Sequence, residues 1–115
     1  MTLAQQVCEA CRADAPRVTD AEISEWLPLI AAWQLDAEDG IKKLSRQFKF
    51  ANFVDAMSFA GHVAELAEAH GHHPALLVEW GKVTVTWWTH KIKGLHKNDF
   101  VMAAKTDAIA TGLCQ

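Results

Sequence analysis

The chain has 115 residues, half of them hydrophobic and 22% charged, which is enough for one core and too little for two. Eleven basic residues against fourteen acidic ones leave a formal charge of -3, so no global electrostatic drive toward nucleic acid exists. No apolar run reaches the ~18 residues of a membrane span and no leading stretch resembles a secretory signal, which predicts a cytoplasmic protein with reduced thiols.

Residues 1–18 show no clear period. Cys8 and Cys11 form a lone C-x-x-C here. A zinc half-site needs further ligands at suitable spacing and a thioredoxin-like motif needs a βαβ setting, and neither is visible locally. The expectation is a flexible N-terminal extension over 1–18 with incidental cysteines, followed by a single domain over 19–115.

Thr19 and Glu22 have the spacing of a capping box, in which hydroxyl and carboxylate each serve the other residue's orphan amide. Ile23, Trp26, Leu27 and Ile30 follow at i, i+3, i+4 and i+7, one buried helix face, while Pro28 removes a donor and predicts a short or kinked helix. Trp33 to Leu35 opens a short strand, 36–40 is an acidic turn closed by Gly40, and 41–50 is a second strand. Leu44, Phe48 and Phe50 share one of its faces, and Lys43, Ser45, Gln47 and Lys49 the other.

Asn52 is placed to cap a helix running to about His70, with Phe53, Met57, Ala60, Ala64 and Ala67 as an apolar stripe widened by Phe59, Val63 and Leu66. Gly71 stops that helix and Pro74 imposes an extended exit. Residues 75–80 and 82–90 form a hairpin through Gly81, with Val83, Val85 and Trp87 on one face and Thr84, Thr86, Trp88 and His90 on the other. Asn98 or Asp99 caps a last helix that carries Phe100, Val101, Ala104 and Ala108 toward the core. The order α-β-β-α-β-β-α predicts an α+β fold, a four-stranded antiparallel sheet with helices packed on one face.

The chemistry concentrates where the long helix stops. His70, His72 and His73 lie within four positions, beside Glu68, and His90 ends the strand-like run that follows. A metal site has donors enough, but adjacent His72 and His73 diverge on an extended chain, and no H-x-x-x-H pair sets two imidazoles on one helix face. A structural role suits His70, whose cation complements the helix C-terminus, and His62 reads as an exposed helix histidine. Acid–base catalysis needs one group to give a proton and another to take one, and a carboxylate such as Glu68 or Asp99 favours a charged imidazole beside it. Trp80, Trp87 and Trp88 could wall a flat heteroaromatic substrate, although each taken singly suits simple core packing.

An acidic residue, three others and then His-His-Pro (Glu68, His72, His73, Pro74), followed by Trp80, His90 and Asp99, is a seven-residue pattern with fixed gaps. By it the chain resembles the pterin-4a-carbinolamine dehydratase family, the 4a-hydroxytetrahydrobiopterin dehydratases, from about Trp33 into the last helix. The run Trp80 to Trp88 and Gly94-Leu95 look like the bacterial members.

The resemblance implies a hydro-lyase with neither metal nor cofactor, converting 4a-hydroxytetrahydropterin to quinonoid dihydropterin in the tetrahydrobiopterin recycling that supports phenylalanine hydroxylation. It implies catalytic roles for His72, His73 and His90: the first and last as acids on the leaving hydroxyl, His73 in substrate binding and proton acceptance. Glu68, Trp80 and Asp99 become substrate-binding or orienting residues, and we assign the two carboxylates to orienting and charging the imidazoles. It also implies a homodimer or homotetramer, for which the small-residue helix after Asn52 is a candidate contact, and a functional link to an aromatic amino-acid hydroxylase. Animal members of the family serve as dimerisation cofactors of a homeodomain transcription factor. A regulatory or dimerisation partner is therefore the alternative, with no direct nucleic-acid or membrane contact.

Overall fold

The computed structural model describes residues 17–113. Cys8, Cys11 and Cys114, and the expected flexibility of the N-terminal extension, lie outside the described residues.

Helix α1, Asp20–Trp26, starts with the expected box: the Thr19 hydroxyl accepts from the Glu22 amide, and the Glu22 carboxylate accepts from the Thr19 amide. It ends early because Pro28 lies in the next turn, and the chain tightens into a 3-10 turn over Leu27–Ile30. Arg17 and Val18 already belong to the packed unit, since Arg17 Nε donates to the Ile92 carbonyl and the Val18 amide to that of Leu95.

Strand β1 is Gln34–Glu38 and β2 is Ile41–Lys49. They are joined at Asp39 and Gly40, which both take positive φ (53° and 78°), the requirement of the hairpin turn that matches strand twist. Trp33 precedes the strand rather than opening it, with its indole N–H on Asp107. Helix α2, Phe53–His70, is capped by the Asn52 side chain on the Asp55 amide. Strands β3, Ala75–Glu79, and β4, Lys82–Trp87, follow, and helix α3 spans Lys97–Leu113. The sheet runs β1-β2-β4-β3, antiparallel throughout, with Leu44 opposite Trp87 and Phe48 opposite Val83. This is the α+β architecture expected from the element order.

The helices lie over the face carrying Leu44, Phe48, Val83, Val85 and Trp87, which pack with Phe59, Val63, Phe100 and Val101. Each large apolar side chain so buried contributes about 1.5–3 kcal/mol. A run of rings, Trp33 on Phe48 on Phe59 on Phe50, ties β2 to α2.

The helices are rotated from the expected faces. In α2 the buried set is Ala56, Phe59, Ala60, Val63 and Ala67, while Phe53 and Met57 are 45% and 49% exposed. In α3 Met102 and Ala103 join Phe100 and Val101 in the core, and Ala108 is exposed. Runs of small residues on these helices satisfy more than one stripe, and the fit against the bulky β2 and β4 residues selects among them.

Candidate active site

Two local devices deliver His72. Gly71, at φ 62°, closes α2 in the left-handed region, and its amide bonds back to the Ala67 and Glu68 carbonyls. The His72 amide then donates to the Ala67 carbonyl at 3.1 Å, so the backbone is locked one residue beyond the helix. Pro74 bars further helix, and the chain enters β3. The His72 ring is turned inward, 3% exposed, and stacks on Trp87 with 5.5 Å between centroids and 6° between planes. Trp87 is itself fixed, its indole N–H donating to Thr106 on α3.

Asp99, in the first turn of α3 and wholly buried, receives His72 Nε2 on Oδ1 at 2.7 Å. Its Oδ2 accepts from the Thr89 hydroxyl at 2.8 Å and from the His96 amide at 2.9 Å. Three donors on one buried carboxylate make a satisfied network, which both fixes the carboxylate and offsets the cost of burying it. In a neutral His72 ring the proton then sits on Nε2, facing the carboxylate.

Thr89 reaches inward because it keeps the parity of Val83, Val85 and Trp87 beyond the end of β4. Thr89 bridges Gly94 across a short 3-10 turn, His90–Ile92, with Lys93 in the left-handed region at φ 49°. His90 therefore lies on this turn and not on a strand, contrary to the expected alternation; it is exposed, with its ring 4.3 Å from that of Trp88. Lys43 sits over the other ring of this pair, its Nζ 4.2 Å from the Trp88 centroid.

His73 points the opposite way from His72. Its Nε2 lies 3.1 Å from Glu68 Oε1, both side chains largely exposed. With one imidazole on Asp99 and its neighbour on Glu68, the two rings diverge, and among the described residues no three His, Cys, Asp or Glu side chains gather to hold a metal ion. Trp80 is 73% exposed at the β3–β4 turn, seven residues of extended chain from His73, roughly 23 Å. The fold thus unites His72 with Asp99 and His73 with Glu68, sets His90 one residue beyond the Asp99-bound Thr89, and leaves Trp80 at the far end of the sheet.

Thr89 and His96 escaped the sequence reading. Thr89 carried a local signal in its parity, which it shares with Val83, Val85 and Trp87. His96 carried one too, since it stands three residues before Asp99, the spacing of a capping box, but an imidazole is not among the usual caps. His70, in the last turn of α2, has its pKa lowered by burial and, secondarily, by the Lys105 charge, which opposes the cationic helix-end role expected for it.

The site thus holds an inward histidine pinned by a carboxylate, with His73 and His90 flanking the same end of the β3–β4 hairpin. A family profile described as pterin 4 alpha carbinolamine dehydratase matches residues 16–109. A Saccharophagus degradans protein, provisionally named a pterin-4-alpha-carbinolamine dehydratase, is 59% identical over 96% of this chain and 97% of its own length. The crystal structure of a transcriptional coactivator/pterin dehydratase from Brucella melitensis superposes with a TM-score of 0.74 at 37% identity, covering 83% of this chain and 99% of that one. A pterin dehydratase-like protein identified as a RuBisCO assembly factor in the alpha-carboxysome shares the fold (TM-score 0.58, 22% identity, 69% of this chain and 89% of that one). The chain belongs to the pterin-4a-carbinolamine dehydratase family, and so to the hydro-lyases. No helix among the described residues is long and apolar enough to cross a membrane.

Proposed function

We propose that the chain dehydrates 4a-hydroxytetrahydropterin to quinonoid dihydropterin by histidine acid–base catalysis, within tetrahydrobiopterin recycling in the cytoplasm. The observation that carries this reading is the buried His72–Asp99 pair stacked on Trp87. Loss of water requires one proton delivered to the 4a-hydroxyl as its C–O bond breaks, and the N5 proton removed as the C=N bond forms. One proton is given and one is taken, and the protein regains its starting state once solvent returns a proton from the accepting histidine to the donating one. His72 and His90 act on the leaving hydroxyl, with Asp99 holding the His72 ring and stabilising its charged form during transfer. His73, at the rim beside Glu68, binds substrate and takes the N5 proton.

The test is the dehydration rate of freshly generated carbinolamine, with and without protein, in chelator. Spontaneous water loss is observable, so only the rates discriminate. Substitution His72→Ala combined with His90→Ala is expected to remove the acceleration, general acid catalysis being worth ~10²–10⁴. Wild-type turnover in that double variant would refute the reading.

A second reading, a regulatory or dimerisation partner of an aromatic amino-acid hydroxylase or a transcription factor, is supported by α2. Phe53, Val54 and Met57 are exposed at its start, an apolar patch suited to a partner helix or to a second copy of this chain in a homodimer or homotetramer. The coactivator role named for the Brucella melitensis relative points the same way. A partner complex that survives the double histidine substitution supports it.

A further inference from the structure

We infer that His96 is a positioning residue for His72, acting through Asp99 as the N-terminal cap of α3. The inference rests on the acid–base reading above and deepens it. The first turn of any helix has amides without intrahelical partners, and Ser, Thr, Asp or Asn usually serve them. Here the residue before α3 is His96, 8% exposed, and its ring Nδ1 accepts from the Asn98 amide at 3.1 Å. The return half of the arrangement is Asp99, whose Oδ2 accepts from the His96 amide at 2.9 Å, while the Asp99 amide donates to the His96 carbonyl at 3.0 Å. This is a capping box with an imidazole in the place of the hydroxyl and an aspartate in the place of the glutamate.

The consequence for the site follows from the two oxygens of one carboxylate. Oδ2 is occupied by the cap amide and the Thr89 hydroxyl, and Oδ1 meets His72 Nε2. Anchoring Oδ2 sets the rotation of the carboxylate, and that rotation decides whether Oδ1 lies in line with the His72 N–H. Loosening the first turn of α3 would swing the carboxylate and release His72 to change tautomer. Nδ1 of His96 can accept only while it carries no proton, so the capping form of the ring has its proton on Nε2.

The experiment compares wild type, His96→Ala and His96→Ser by three readouts: the ring ¹⁵N shifts of His72, kcat and KM for the carbinolamine, and the thermal midpoint. Serine restores an accepting atom at the cap and keeps the backbone amide. We expect His96→Ser to retain the His72 ring signals and kcat. We expect His96→Ala to average the two His72 ring nitrogens and to lower kcat by about tenfold with KM little changed. Unchanged His72 signals in the alanine variant would overturn the inference, as would a serine variant as impaired as the alanine one, because the ring would then matter only as filling. If His96→Ala does not fold, His96→Asn against His96→Leu decides on the same readouts: Asn accepts a hydrogen bond, whereas Leu only fills space. Failure of the parent reading is told apart by His72→Ala alone. Full turnover there removes the catalytic claim, while the His72 ring signals of the His96 variants still test the cap.

Discussion

Nε2 of His72 and Oδ1 of Asp99 stand 2.7 Å apart with their side chains 3% and 0% exposed, so bulk water scarcely competes for either. The pair joins the end of α2 to the start of α3 across 27 positions of chain. Because the carboxylate has two further donors, the imidazole is held by a group that is itself held.

Asp99→Asn should therefore be costly in two ways. An amide keeps the shape but replaces one accepting oxygen with a donor, leaving buried donors unserved. We expect a loss of about 1–3 kcal/mol in unfolding free energy, read by denaturant titration. We also expect kcat to fall by at least ~10², read by stopped-flow dehydration. Retained kcat in a folded variant would show that His72 does not need its carboxylate.

The second carboxylate behaves differently. Glu68 and His73 meet on the surface, where ion pairs contribute little. Glu68→Gln should change stability by no more than about 0.5 kcal/mol yet raise KM, the outcome expected from the proposed roles of His73 in binding substrate and of Glu68 in orienting it. Unchanged KM and kcat would detach Glu68 from the site.

Gly71→Ala tests the backbone that delivers His72. A Cβ there meets nothing within 4 Å, so the penalty is that of the left-handed φ alone, about 1–2 kcal/mol. Chemical denaturation reads it. A neutral result would mean that the α2 terminus relaxes out of the left-handed region.

His70 supplies a pH dependence with a definite sign. Burial, followed by Lys105, lowers its pKa in the folded protein, so the unfolded chain takes up the proton first as pH falls. Stability associated with this residue is complete above the ordinary histidine range and declines as pH drops through about 6.5 toward the lower folded value. His70→Gln should flatten the stability profile on the acid side of neutrality. Parallel profiles for the variant and wild type would remove His70 as a source of that slope.

Much of this protein could be read along the chain. The Thr19–Glu22 box, the Pro28 break, the Asn52 cap, the Gly71 stop and the alternation in β2 are relationships over a few residues, and each formed as expected. Their information is local, carried by φ preferences, capping oxygens and side-chain period. The pattern from Glu68 to Asp99 likewise marked the residues of the candidate site before any geometry was known.

The partnerships within that pattern are tertiary. Adjacency on an extended chain set His72 and His73 to diverge, and packing decided that His72 is the one buried against Trp87 and His73 the one exposed. Asn98 and Asp99 were equally plausible caps until His96 took that position, which freed the Asp99 carboxylate to reach both the cap amide and His72. Trp80 fitted the spacing yet stands at the distant end of the hairpin. Local rules set which elements form and in what order. Which side chains meet across 27 residues depended on how α2 and α3 rotate against the sheet, and that rotation is chosen by the joint packing of Trp87, Phe59 and Phe100.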